Sequence, residues 1–137
     1  MGDVTITQVV EWSADHGMAG LIPDATPARV REIDWLQPDF ANAAGELRFS
    51  VHAFAIETST LKILVDTCIG NAKERADAVI WHRLDTEFLV RLDEIGFGRE
   101  AVDIVLCTHL HLDHVGWNTM LIQNQWVPTF PCARYLF

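Results

Sequence analysis

Positive charge is scarce in this sequence, and long apolar runs are missing. Ten Lys and Arg residues stand against nineteen Asp and Glu residues, which gives a formal net charge of −9 at pH 7. Nucleic acids and anionic membrane surfaces are themselves polyanions, so this balance disfavours both as partners. No apolar run approaches the roughly 18 residues of a membrane-spanning helix. We therefore expect neither a nucleic-acid partner nor a membrane partner.

Cysteines and targeting signals are also sparse. The three cysteines, Cys68, Cys107 and Cys132, are an odd number and lie far apart, so no disulfide framework is predicted. Cys107 lies inside an apolar run and is interpreted as a small buried residue. The first residues lack a basic segment followed by an apolar one, so no secretory signal is predicted and the expected location is cytoplasmic.

The apolar pattern predicts several strands and one clear helix. Half of the 137 residues are apolar, which is enough for a hydrophobic core. Apolar positions at helical spacing predict a helix that begins after Asp85 or Thr86 and ends at Gly96. Runs of strand length predict strands. These lie at Val4–Trp12, Leu47–Glu57, Leu61–Val65, Val102–Thr108, Gln125–Pro128 and Ala133–Phe137.

The segment between residues 13 and 45 is broken by glycine and proline, so only a short helix around residues 28–33 is predicted there. Trp35, Leu36 and Phe40 are interpreted as lining a substrate pocket mouth or as covering the core. Leu47–Glu57 is apolar on both faces for much of its length, as expected of a strand packed on both sides. The polar turn after it predicts a hairpin.

Residue types that bind metals cluster directly after the strand Val102–Thr108. The hexapeptide His109–His114 reads His-Leu-His-Leu-Asp-His, so four of its six side chains bind divalent metals. If the strand continues to position 111, His109 and His111 point to the same side, because side chains alternate along a strand. Two imidazoles so placed can reach one ion at about 2.0–2.1 Å. His109 and His111 are therefore predicted to share a metal.

Asp113 and His114 are adjacent and cannot share that strand geometry. A turn at this point would direct both toward a second ion close to the first, which suggests two metals. Asp113 also suits a helix N-terminus, where its carboxylate accepts from free backbone N–H groups. The predicted layout is strand, ligand loop and helix. The alternative interpretation is a polar loop whose histidines face solvent.

The motif His-x-His-x-Asp-His after an apolar strand resembles the metallo-β-lactamase fold hydrolases. The resemblance covers most of positions 45–137 and includes Ile63–Thr67, which is similar to that family's strand ending in Asp-Thr-Gly. It implies an α/β (α+β) fold, half of an αββα sandwich, with a mixed β-sheet and covering helices. Cys68 stands where the family usually has glycine. Cys68 is interpreted as a packing residue, with a role as a metal ligand as the alternative.

The resemblance also implies a role for each motif residue. His109 and His111 would bind a first zinc ion, and Asp113 and His114 a second. Asp66 would be a carboxylate outside the metal ligands that accepts a hydrogen bond from a metal-bound histidine. The alternative for Asp66 is that it only caps the following turn.

Further ligands of that family, two histidines and a bridging aspartate, lie far downstream of the motif. The other histidines here, His16, His52 and His82, lie upstream in unrelated contexts, and His82 is interpreted as a surface residue. We therefore expect residues 1–137 to be the N-terminal part of a single domain whose C-terminal half is absent. The uncovered sheet face of such a half is expected to favour association into a homo-oligomer.

The expected function is zinc-dependent hydrolysis of a small-molecule ester, lactone or amide through metal-bound hydroxide. Asp113 is the predicted catalytic residue, which would orient the hydroxide and accept its proton. The isolated chain is expected to be inactive. The alternatives are an iron-dependent redox enzyme of the same fold, since histidine and carboxylate ligands also suit iron, and a truncated copy without catalysis.

Overall fold

The computed structural model describes residues 2–15 and 20–137, so His16 lies outside the described residues. This part of the chain forms seven strands, two α-helices and three short 3₁₀ turns. The strands are β1 (Thr5–Ala14), β2 (Phe49–Glu57), β3 (Lys62–Val65), β4 (Ile104–Leu106), β5 (Thr119–Ile122), β6 (Gln125–Pro128) and β7 (Arg134–Leu136). The α-helices are α1 (Pro27–Arg31) and α2 (Phe88–Glu94), and the 3₁₀ turns are Asp34–Leu36, Val79–Trp81 and Gly116–Asn118.

Five strands form one mixed sheet in the order β1-β2-β3-β4-β7. β2 and β3 are antiparallel, whereas β3, β4 and β7 run parallel. The predicted hairpin between β2 and β3 is confirmed, and the Thr58 hydroxyl stabilises it by accepting from the N–H groups of Thr60 and Leu61. β5 and β6 form a separate antiparallel pair. The mixed sheet with few helices confirms the predicted fold class.

The two faces of this sheet differ in burial. Ala53 and Leu64, on one face of β2 and β3, are fully buried in the apolar core. On the other face, Phe54, Val65, Leu106 and Leu136 follow one another in register across four strands, and Phe54 is 41% exposed. The prediction that β2 is packed on both sides is therefore wrong, because Phe54, Leu106 and Leu136 on that second face are each more than a third exposed in the described residues.

Helix α2 packs its apolar stripe into the core. Phe88 and Leu92 lie one turn apart and are buried, which stabilises the fold by about 1.5–3 kcal/mol for each side chain. Gly96 adopts a φ of +79° and ends the helix as predicted. The helix begins after Glu87, not after Asp85 or Thr86 as predicted, and no side chain caps it. The Thr86 hydroxyl donates to the Glu11 carboxylate (3.1 Å) instead.

The chain divides into two compact units, Met1–Glu11 with Val51–Phe137 and Trp12–Ser50. The second unit contains α1, which confirms the short helix predicted there, and Thr26 caps α1 by accepting from the Arg29 N–H. Trp35 and Phe40 meet edge to face with ring centroids 6.0 Å apart. Both rings are mostly exposed, so they do not cover a core in the described residues.

None of the helices in the described residues is long and apolar enough to cross a membrane.

Candidate metal centre

The motif follows β4 but is not part of a strand. The Cys107 N–H still donates to a carbonyl of β7 (2.9 Å). The next donor, the Thr108 N–H, binds Asp66 Oδ1 at 2.7 Å. Because Asp66 takes this donor, the ladder of strand hydrogen bonds stops before His109. The prediction that the strand continues to position 111 is therefore wrong, and β4 ends at Leu106.

The motif itself forms the predicted turn but not the predicted helix. The His114 N–H donates to the His111 carbonyl at 3.0 Å, which reverses the chain at Asp113. Among the described residues that follow, the next element is the single 3₁₀ turn Gly116–Asn118. The helix expected to begin at Asp113 is therefore absent from this part of the structure.

The loop after β3 explains why no helix forms there. The N–H groups of Gly116 and Trp117 donate to the carbonyls of Cys68 and Thr67 (2.7 and 2.8 Å), so they are unavailable to a preceding helical turn. The two segments approach closely, because a Cβ atom on Gly116 would lie 1.8 Å from the Ile69 carbonyl oxygen. Glycine at position 116 is thus required by this contact.

Asp66 connects Thr108, directly before the motif, to His114 at its end. Its side chain is nearly buried, and its two oxygens accept from the Thr108 N–H and the Thr108 hydroxyl. Oδ2 also lies 2.8 Å from His114 Nδ1. Asp66 has a φ of +60°, a left-handed conformation that Asp tolerates better than most residues. It therefore contacts the motif directly, which the alternative role as a simple turn cap does not explain.

The three motif imidazoles lie against one another although the strand has ended. The ring centroids of His109 and His111 are 4.6 Å apart, and those of His109 and His114 are 3.8 Å apart. The Thr108 hydroxyl lies 3.1 Å from His109 Nδ1. The turn, not strand alternation, thus brings the rings together.

The contacts of His114 define where its ring proton lies. An ionised Asp66 only accepts hydrogen bonds, so His114 Nδ1 donates to it and, in the neutral ring, Nε2 carries a lone pair. Nε2 faces Asp113 Oδ2 at 3.5 Å. Two acceptors at this separation repel unless a positive charge lies between them, which is either a proton on Nε2 or a metal ion. The arrangement therefore suits a cation.

The side chains do not close around a common point. Within residues 2–15 and 20–137, no group of three or more His, Cys, Asp or Glu side chains has a geometry that could hold a metal ion. His109, His111, Asp113 and His114 are brought together on one turn, and their roles as ligands stay predictions.

Cys68 lies beneath the motif and is fully buried. Burial, followed by the charges of Glu11, Asp66 and Asp113, raises the pKa of its thiol. Because thiolate is the form that binds metals, this environment favours the packing interpretation. Its φ of +49° is the conformation that favours glycine. Cys107 is buried as predicted, whereas Cys132 is exposed.

Glu11 is a buried residue that the sequence analysis missed. Its carboxylate accepts from the N–H groups of Ile69 and Gly70 (2.6 and 3.2 Å) and from Trp117 Nε1 (2.6 Å). Trp117 stacks on Phe88 with centroids 6.0 Å apart, so it packs beneath the motif and does not line a pocket. Glu11 thus ties β1 to both segments that support the motif.

His82, interpreted as a surface residue, keeps part of its side chain exposed and also bonds to the loop before α2. It is half-buried, and its Nδ1 accepts from the Arg75 N–H at 2.9 Å. Its other nitrogen lies 3.6 Å from Glu74. His82 therefore stabilises the loop before α2.

Comparison with known proteins agrees with this architecture. The sequence profile of the Metallo-beta-lactamase superfamily matches residues 47–137, and none of the curated protein sequences matches the chain. A probable metal-dependent hydrolase from Staphylococcus aureus is 19% identical, with a TM-score of 0.70 over 98% of this chain and 46% of that chain. A hydrolase of the beta lactamase superfamily, AbOPH, is 29% identical, with a TM-score of 0.68 over 98% of this chain and 41% of that chain.

A third similar structure is AidC, a dizinc quorum-quenching lactonase in complex with the product N-hexnoyl-L-homoserine. It is 20% identical, with a TM-score of 0.64 over 96% of this chain and 40% of that chain. The present chain thus spans less than half the length of each of these structures. The profile match covers more than half of the chain and includes the motif, and the fold agrees, so the chain belongs to the metallo-beta-lactamase superfamily.

Proposed function

We propose that the protein containing this chain is a zinc-dependent hydrolase of a small-molecule ester, lactone or amide. The observation that carries the proposal is the position of His114 between two carboxylates, with Nδ1 on Asp66 and Nε2 facing Asp113. The rings of His109 and His111 lie beside it. Membership of the superfamily supports the assignment of this cluster to metal binding.

The donors on the turn fit zinc chemically. Imidazole nitrogens and a carboxylate are ordinary zinc ligands, and the facing acceptors of His114 and Asp113 suit a cation. His109 and His111 would hold a first ion, and Asp113 and His114 a second, with iron as the alternative metal. Bound zinc would supply a Lewis acid for a carbonyl oxygen and lower the pKa of a coordinated water toward about 7.

The protein's own groups have separate tasks in this proposal. Asp66 fixes the proton of His114 on Nδ1, which leaves the Nε2 lone pair available as a ligand. Asp113 is partly exposed, so its carboxylate can reach water, orient it and accept its proton. Thr108 holds Asp66 through both its N–H and its hydroxyl. Asp113 is the proposed catalytic residue and Asp66 is a positioning residue.

The similar structures support a general class of substrate. AidC is a lactonase, and the other two are described as hydrolases. We infer a carbonyl substrate on this basis. Because the chain spans less than half of each of these structures, the activity is proposed for the whole protein.

The test is metal binding by this chain, purified without chelator and measured by elemental analysis and zinc titration. Three forms are compared: wild type, His111→Ala, and His52→Ala as the control, since His52 is a histidine of β2 outside the motif. We expect zinc in the wild type and the control and its loss in His111→Ala. Equal zinc affinity in all three forms would overturn the assignment of the motif.

Two further outcomes separate the alternatives. A coloured preparation that contains iron in place of zinc would favour the redox enzyme. Hydrolysis of an aryl ester, a lactone and an amide is then measured on the whole protein loaded with zinc. Zinc binding without turnover of any of the three would contradict the proposed activity while leaving the metal site intact.

A further inference from the structure

Arg75 connects the loop before α2 to the middle of the motif. Its Nη2 donates to the Leu112 carbonyl at 2.9 Å and to the Ile69 carbonyl at 2.7 Å. Leu112 directly precedes Asp113, and Ile69 belongs to the loop that follows β3. One guanidinium group therefore links the two segments that surround the predicted ligands.

The bond to Leu112 acts on Asp113 through the peptide plane. The peptide unit is planar, so fixing the direction of the Leu112 carbonyl also fixes the N–H and Cα of Asp113. Two other carbonyls of the motif are held by backbone groups: His111 accepts from the His114 N–H, and His114 accepts from the Thr67 N–H. Arg75 supplies the side-chain contact for the peptide between them.

The positive charge of Arg75 adds to the effect of its hydrogen bonds on Asp113. Burial lowers the pKa of its half-buried guanidinium, and the charges of Asp113 and Glu11, which attract it, partly oppose this shift. Its Nε is buried without a hydrogen-bond partner among the described residues, so its hydrogen bonds to the two carbonyls are made through Nη2. Hydrogen bonds from a charged donor are stronger than those between neutral groups, which suits a side chain that fixes a turn.

The surroundings of Arg75 hold it in place. Its N–H donates to His82 Nδ1 at 2.9 Å. Next to it, Glu74 pairs with Arg83, and Lys73 Nζ donates to Thr119 Oγ1 (2.7 Å). The loop is therefore anchored at Arg75 and at the two residues before it.

We propose that Arg75 is a positioning residue that clamps the Leu112–Asp113 peptide and so sets the geometry of the motif. This proposal rests on the proposed metal site for its purpose, but the clamp exists in the metal-free chain and can be measured there. Arg99 provides a matched control, since its Nε also donates to a backbone carbonyl, that of Thr129 (2.9 Å), away from the motif.

The experiment measures amide hydrogen exchange by NMR in the metal-free chain for wild type, Arg75→Gln, Arg75→Lys and Arg99→Gln. The reporter is the His114 N–H, and the reference is the Asp103 N–H, which donates to Lys62 beside the sheet. We expect Arg75→Gln to speed exchange at His114 by about tenfold, as the loss of one hydrogen bond implies. We expect Asp103 to be unaffected, Arg75→Lys to restore part of the protection, and Arg99→Gln to leave His114 unchanged.

A second readout adds Co²⁺ to the same four proteins and records the visible absorption spectrum and the dissociation constant. If Arg75 positions the motif, we expect Arg75→Gln alone to show an altered spectrum and about tenfold weaker Co²⁺ binding. If the wild type binds no cobalt, the proposed metal site fails and hydrogen exchange alone decides the clamp. Unchanged exchange at His114, or equal acceleration at His114 and Asp103, would overturn the clamp. If Arg75→Gln does not fold, the comparison of Arg75→Lys with wild type decides in the same way.

Discussion

Replacing Asp66 by Asn separates the charge of this residue from its shape. Asn is isosteric with Asp and tolerates the left-handed φ of +60° found at this position, so the backbone needs no rearrangement. The amide oxygen can still accept from the Thr108 N–H. The amide NH₂ then takes the place of Oδ2, where it meets the Nδ1–H of His114. Two donors face each other, and the His114 ring must move its proton to Nε2.

The structure sets the size of this effect. A hydrogen bond to a charged group contributes about 1.5–3 kcal/mol, and a buried donor left unpaired costs a similar amount. Asp66 is only 8% exposed, so solvent does not replace what is lost. We expect Asp66→Asn to lower the free energy of unfolding by about 1.5–3 kcal/mol. A proton on Nε2 blocks that nitrogen as a ligand, so zinc affinity should fall by about 10–100-fold.

Urea unfolding of the metal-free chain and competition with a chromogenic chelator measure the two effects. Asp103→Asn is the control, because Asp103 also accepts from a backbone N–H, that of Lys62 at 2.8 Å, but at an exposed site. Its substitution should change the free energy of unfolding by less than about 0.5 kcal/mol. Equal losses of stability in the two variants, together with unchanged zinc affinity for Asp66→Asn, would refute the role derived for Asp66.

Three further predictions concern the segments around the motif. Glu11→Gln replaces an acceptor by a donor at a buried site and should lower the free energy of unfolding by about 2–3 kcal/mol in urea titrations; wild-type stability would contradict this. Gly116→Ala places a Cβ 1.8 Å from a carbonyl oxygen and should destabilise the folded chain by about 3 kcal/mol or more. The control Gly20→Ala, with open space around the residue, should not destabilise it. Calorimetry compares the stability of the two variants. Because the pKa of Cys68 is raised, its thiolate fraction at pH 8 is below that of an ordinary thiol. A disulfide reagent should therefore modify the exposed Cys132 first. Prompt loss of two thiols would argue against the buried environment of Cys68.

Much of the scaffold is readable from local pattern. The runs that became β1, β2, β3 and β6 combine apolar residues at strand length with turn residues between them, and Gly96 marks the end of α2. These features are local, so single-sequence reasoning reaches them. The strand β5, Thr119–Ile122, was not predicted.

The geometry of the motif was not readable in the same way. Strand continuation beyond Leu106 and a helix from Asp113 are both reasonable from local preference. Both predictions were wrong because acceptors far away in the sequence bind these N–H groups. Asp66 accepts from the Thr108 N–H, and the loop after β3 accepts from the Gly116 N–H. The sequence contained a hint in Thr108, a hydroxyl residue directly before the motif, but not the identity of its partner.

Glu11 offered a clearer signal. It is a lone carboxylate between apolar Val10 and Trp12 at the end of a predicted strand, and a charge in such a position is expensive unless it is paired. Its four donors come from residues at least 58 positions away. Composition could therefore indicate that Glu11 needs partners, whereas only the folded chain shows which ones.

The contacts of Glu11 also explain how the segment after β3 keeps its unusual backbone. Asp66 and Cys68 both have positive φ, and conformations of this kind persist only where the surroundings over-determine them. Asp66 is held by Thr108 and His114 at one end, and Gly70 is held by the Glu11 carboxylate at the other. If Glu11 is lost, the N–H groups of Ile69 and Gly70 lose their acceptor, and the segment is held by its remaining contacts with the residues that follow β4. The buried carboxylate of β1 therefore supports the backbone beside Asp66 without touching His114.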